Sequence, residues 1–97
     1  MIVEFVDIRI RPGENASFED AIQQAISNLI GRVQGFQSYQ IHRGIESPER
    51  YMLQACWDTL EDHTVKFRQG PLYAEWLAVI RPFAAAQPNV EHFAPVP

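Results

Sequence analysis

Residues 2–10, IVEFVDIRI, alternate with period two, and apolar side chains fall on both parities. Ile2, Val6, Ile8 and Ile10 share one parity, with Glu4 set among them, while Val3 and Phe5 share the other with Asp7 and Arg9. A strand with two apolar faces calls for cover on both sides. In a chain of 97 residues, a length that suits one domain over 1–97, that requirement leaves few architectures open.

The rest of the chain narrows them further. Pro12-Gly13 breaks the strand, and the period then changes. Phe18, Ala21, Ile22, Ala25, Ile26, Leu29 and Ile30 recur three and four residues apart, the stripe of an amphipathic helix over 15–31. Ser17 with Asp20, or Asn15, is the expected cap, and Gly31 the stop. Residues 36–43 read as a second strand, with Tyr39 and Ile41 on one face and Phe36, Ser38, Gln40 and His42 on the other. The polar link GIESPE leads to a third strand over 50–57, so a hairpin is expected. Asp58 and Glu61 have the spacing of a capping box, opening a helix to about Gln69. Gly70-Pro71 divides it from a second helical stretch over 71–81, and Val90–Val96 reads as a last strand. The order β-α-β-β-α-β predicts an α+β protein: one antiparallel sheet with helices on one face. The other face would stand bare in a monomer, so a homodimer is expected.

Composition removes several functions. The net charge is -4 and Lys66 is the sole lysine, which argues against nucleic acid or an acidic membrane surface as partner. The one cysteine, Cys56, allows neither an intrachain disulfide nor a thiolate cluster, and it reads as a small buried hydrophobe. MIVEFVDIRI lacks the basic and unbroken apolar regions of a signal peptide, and no run is long enough to span a bilayer, so a cytoplasmic location is expected. No HExxH, GxSxG, Walker loop or dinucleotide fingerprint occurs, and neither a metal nor a bound cofactor is expected.

Chemistry therefore rests on a few side chains. The histidines are His42, His63 and His92, and the acids nearest apolar surroundings are Asp7, Glu61, Glu75 and Glu91. His63 lies early in the helix after Trp57, with Phe67 four residues on; there a neutral imidazole suits a catalytic base, or else a histidine packed on the sheet. The aromatic set either fills the core or lines a pocket for a flat organic molecule. Within it Tyr51, Tyr73 and Trp76 each carry a polar handle that needs a partner if buried.

The helix FEDAIQQAI after Pro12-Gly13, the pair Gly35-Phe36, the strand YMLQACW running into LEDHTVKFRQGPLY and the closing PFAAAQPNVEHF resemble the antibiotic biosynthesis monooxygenase-like family. The resemblance covers nearly the whole chain. It implies a ferredoxin-like sandwich that pairs into a dimeric α/β barrel. It also implies a cofactor-independent monooxygenase acting on a small phenolic or quinol-type aromatic, the alternative being a non-catalytic small-molecule binding or structural module. Trp57 and the segment holding Glu61 and His63 match the family's characteristic stretch, and His92 matches a histidine of its closing strand. The resemblance assigns no base; His63, as a neutral histidine with a pKa near the working pH, is the candidate catalytic residue, and Tyr51, Trp57, Phe67, Tyr73 and Trp76 are candidate substrate-binding residues. The family's haem-degrading branch uses an asparagine, a tryptophan and a histidine where this chain has Asp7, Phe67 and Trp76, so haem degradation is not expected.

Overall fold

The computed structural model describes residues 1–97. Strand β1 (Ile2–Arg9) leads to helix α1 (Asn15–Asn28) and a 3-10 turn (Ile30–Arg32). The hairpin strands β2 (Phe36–Arg43) and β3 (Arg50–Trp57) follow, then a π-helical turn (Asp62–Phe67), helix α2 (Leu72–Ile80) and strand β4 (Asn89–Phe93). All pairings are antiparallel, in the order β2-β3-β1-β4. The result is the ferredoxin-like α+β sandwich.

The parity of β1 decides what meets what. Val6 and Ile8 face the helices with Leu53 and Tyr51 of β3, and pack on Phe18, Ile22, Ala25 and Ile26 of α1. Burying such side chains contributes about 1.5–3 kcal/mol each. Val3, Phe5 and Asp7 face away, beside Cys56, Gln54 and Met52 of β3. Phe93 joins this outer face from β4, edge-on to Phe5 at 5.3 Å. Cys56 is half-buried there instead of being a core residue.

Four local readings change. First, the β2 register shifts between Phe36 and Ser38, so Phe36 lies opposite Trp57 and joins the helix-facing side with Tyr39 and Ile41. The extra residue, Gln37, is a β-bulge, and a bulge moves one side chain to the other face. Second, α1 starts before Ser17 and has no side-chain cap; the Asn15 amide donates instead to the Pro48 carbonyl and the Tyr51 hydroxyl. Third, the reciprocal capping pair is Thr59 with Asp62, one residue beyond the expected one, because the Asp58 carboxylate accepts from Gln37. Fourth, β4 ends at Phe93, before Pro95.

Gly35 fixes where the π-helical turn sits. Its φ is +90°, and a Cβ there would lie 2.0 Å from Asp62 Oδ2. Only a glycine lets the chain pass so close to Asp62. Lys66, bonded to Asp62 at 2.8 Å, holds that carboxyl below its ordinary range. Residues 83–85 then run along the end of β1, where Ala85 N–H donates to the Arg9 carbonyl and Ala84 bridges Ile10. This segment borders the space between α2 and the sheet.

Candidate active site

Between the sheet, the π-helical turn and α2 lies a cavity of about 750 Å³. Small-molecule sites typically span about 300–1,000 Å³. The wall is mainly apolar: Val6, Ile8, Phe67, Tyr73, Trp76 and Ile80 are among its residues. Polar groups enter it from Glu4, His63, Arg68 and Arg81. Neither arginine is paired with a carboxylate in the chain.

Glu4 is the unexpected member. Its β1 parity points it inward between Ile2 and Val6, and it is 5% exposed. A carboxylate in such a place requires donors, since an unpaired buried charge is costly. Trp57 Nε1–H donates to Oε1 at 3.0 Å, and His63 Nε2 lies 3.2 Å from Oε2. Burial nevertheless dominates and pushes the Glu4 carboxyl up to about 7, against the Trp57 bond and the nearby Arg68, which both favour the charged form.

His63 is 3% exposed and reaches this site because the turn that carries it is wound wider than an α-helix. Arg68 N–H donates to the His63 carbonyl at 3.1 Å, an i→i−5 bond. The ring lies against Trp57 and Phe67, with centroids 5.2 and 5.9 Å away. Its second nitrogen, Nδ1, sits 2.8 Å from Nε2 of His92. Each ring nitrogen therefore faces a polar group. Burial, then the positive charges of Arg68 and His92, depress His63 to about 3, so it is neutral near pH 7. His92, half-buried on β4, is also lowered, by burial and Arg68.

The residues singled out from sequence divide. His63, Phe67, Tyr73 and Trp76 line the cavity together. Tyr51 does not; it is buried at the far end of the sheet against Phe18, its hydroxyl bonded to Glu19 and Asn15. Trp57 lies behind the wall, fully buried and edge-on to Phe36, and meets the site through its N–H on Glu4. Asp7 is on the outer sheet face in a bidentate pair with Arg50, separated by the sheet from Phe67 and Trp76. Glu61, Glu75 and Glu91 are exposed. No three His, Cys, Asp or Glu side chains converge in the manner of a metal site. Glu4 and Arg68 escaped the sequence reading, although a lone carboxylate on the apolar parity of β1 was the visible signal for the first.

Residues 1–79 match the family model described as antibiotic biosynthesis monooxygenase, and the chain belongs to that family. The uncharacterised protein YczJ of Bacillus subtilis (strain 168) is 36% identical over 96 residues, 99% of this chain and all of that one. A Bordetella bronchiseptica protein assigned to the same family has a crystal structure that superposes with a TM-score of 0.91 at 36% identity, covering 98% of this chain and 96% of that one. The Streptomyces coelicolor monooxygenase from the gene ActVA-Orf6, solved in complex with nanaomycin D, superposes with a TM-score of 0.84 at 19% identity, covering 99% and 88%; it shares the fold. The family's fold supports a monooxygenase-like oxidoreductase role. No helix is long and apolar enough to cross a membrane.

Proposed function

We propose that this protein is a cofactor-independent monooxygenase that oxidises a small phenolic or quinol-type aromatic in the cavity between the sheet and α2. The observation that carries the reading is Glu4: a buried carboxylate on the wall of an aromatic-lined cavity, held by Trp57 and His63. A base whose affinity for protons matches neutral pH is efficient, and Glu4 lies in that range. His63, with Nδ1 bonded to His92 and Nε2 turned to Glu4 at 3.2 Å, positions Glu4 and does not act as the free base.

The chemistry follows from a substrate that supplies its own electrons. Glu4 takes the phenolic proton. The resulting anion, beside Arg68 and Arg81, is electron-rich enough to reduce O₂ by one electron, and the radical pair joins to form a carbon–oxygen bond. The peroxide anion takes up a proton from solvent, and loss of water from the resulting hydroperoxide leaves a quinone: one oxygen atom stays on the ring and the other leaves as water. Phe67, Tyr73 and Trp76 offer flat apolar surface for the ring. That the ActVA-Orf6 monooxygenase holds a small molecule, nanaomycin D, within the same fold supports a ligand-binding use of this architecture.

The second reading is a binding or structural module without chemistry. The cavity between His63 and Trp76 counts against a purely structural role. A thermal-shift screen of phenols, naphthols and quinols, followed by oxygen-electrode assays on the compounds that stabilise the chain, separates the two. Oxygen uptake with quinone formation supports the enzyme. Stabilisation without uptake across the panel supports the binding module.

Two copies are proposed to pair through the outer sheet face. Phe93 is 50% exposed there, beside Phe5. Pairing the faces would cover both and make the two-sheet barrel that the family resemblance implies.

A further inference from the structure

Three groups from three elements stand in one line of close polar contacts: Glu4 on β1, whose Oε2 lies 3.2 Å from Nε2 of His63 on the π-helical turn, and His92 on β4, whose Nε2 lies 2.8 Å from His63 Nδ1. The cavity end of the line is Glu4. The other end is His92 Nδ1, which has no partner in the chain and is open to solvent. The middle member is enclosed and offers one nitrogen to each neighbour.

We propose that Glu4, His63 and His92 form a proton relay, in which a proton taken up by Glu4 from the cavity is released to water from His92 Nδ1 through a change of tautomer at His63. This rests on the site described above and deepens it by giving the abstracted proton a path through the protein to the far side of His63.

The hydrogen-bond count allows two self-consistent states. With Glu4 ionised, Oε1 accepts from Trp57 and Oε2 accepts from His63 Nε2–H; His63 Nδ1 is then bare and accepts from His92 Nε2–H. With Glu4 protonated, its O–H donates to a bare His63 Nε2, His63 Nδ1–H donates to a bare His92 Nε2, and His92 carries its proton on Nδ1. The second state holds one more proton than the first. Passing from it to the first moves one proton from Glu4 to His63 Nε2, one from His63 Nδ1 to His92 Nε2, and one from His92 Nδ1 to water. Every donor keeps an acceptor in both states. The rival arrangement, an imidazolium at His63 against an ionised Glu4, places a further positive charge in a buried site that Arg68 and His92 already make unfavourable for one. The titratable and charged groups around the line are thus Glu4, His63, His92, Arg68 and, across the cavity, Arg81.

The relay is read without any substrate. Nitrogen-15 NMR of the intact protein distinguishes an N–H ring nitrogen from a bare one at each histidine, and a His92→Asn spectrum assigns the signals. Titrated from about pH 9 to about pH 5, His63 and His92 are expected to move their protons together from Nε2 to Nδ1, with a midpoint near 7. In Glu4→Gln the amide oxygen must accept from Trp57, so its NH₂ faces His63. Both histidines are then expected to stay in the Nδ1–H form at every pH. A His63 that becomes doubly protonated in this range, or one that keeps a single tautomer throughout in the wild type, overturns the relay. The wild-type titration decides the matter alone if Glu4→Gln does not fold. A chain that shows the coupled switch yet oxidises no quinol refutes the oxygenase reading only.

Discussion

Glu4 and His92 stand opposite one another in the β1–β4 pairing, and His63 reaches both from a separate element, one ring nitrogen 3.2 Å from Glu4 and the other 2.8 Å from His92. The sheet thus sets the distance between the two outer groups, and the π-helical turn supplies the bridge. Burial drives their proton affinities apart: Glu4 upward, the histidines downward.

Those opposed shifts make stability depend on pH in two senses. Glu4 moves from 4.5 to about 7 on folding, so the folded chain binds more protons in that window and its contribution is lost as pH rises from 4.5 to about 7. His63 moves from 6.5 to about 3, so its contribution is lost as pH falls from 6.5 to about 3. Where the windows overlap the slopes oppose, and wild-type stability from this pair is nearly flat. Glu4→Gln leaves only the histidine slope. Its stability is expected to rise by about 2–3 kcal/mol relative to wild type between about pH 4.5 and about pH 6.5, at about 1.4 kcal/mol per unit. Urea midpoints across that range check this, and parallel profiles for the two proteins contradict it.

Trp57 tests the polar support of Glu4. Trp57→Phe removes the N–H from Oε1 and a donor that favours the charged form. The Glu4 carboxyl is expected to titrate above its wild-type value, read by carbon-13 NMR of the side chain, with about 2 kcal/mol lost from packing and the hydrogen bond. An unmoved titration would show that the indole contributes packing alone.

Two glycines separate strain from collision. Gly13 and Gly35 both have positive φ, but a Cβ at Gly13 meets nothing within 4 Å, whereas one at Gly35 runs into Asp62. Gly13→Ala is expected to cost about 1–2 kcal/mol from backbone strain. Gly35→Ala adds the displacement of Asp62 and the turn behind it, for a total of about 3–5 kcal/mol. Equal losses in urea unfolding would remove the Gly35–Asp62 contact from the account.

Pairing through the outer sheet face places Phe93 in an interface. Sedimentation equilibrium at micromolar concentration should give about twice the chain mass for the wild type and a monomer for Phe93→Glu, which buries a charge without a partner. A wild-type monomer, or a variant that still pairs, contradicts this face as the interface.

Much of the fold was legible because period two and period 3.6 follow directly from strand and helix geometry, as in IVEFVDIRI and FEDAIQQAI. Phe36 was misplaced because a bulge leaves no mark in parity; only Trp57 and the pairing register reveal it. His63, Phe67, Tyr73 and Trp76 share a cavity, one of the two arrangements the aromatic pattern leaves open. Tyr51 does not, since helical and strand periodicity tell which residues are inward but not which end of the sheet they serve. The role of Glu4 is not legible in the sequence for a physical reason too. A charge on an inward parity is expensive, and its meaning depends on donors 53 and 59 residues away in the chain, Trp57 and His63.

The most direct test of the central claim, that Glu4 is the base of an oxidation carried out in this cavity, is the pH profile of oxygen uptake with a quinol or naphthol that binds, measured for wild type and Glu4→Gln. The wild-type rate is expected to rise with pH through about 7, where Glu4 ionises. The variant, with circular dichroism unchanged, is expected to lose about 10²–10⁴-fold, the usual contribution of a positioned base. A Glu4→Gln protein that turns over at the wild-type rate with the same pH dependence would contradict it.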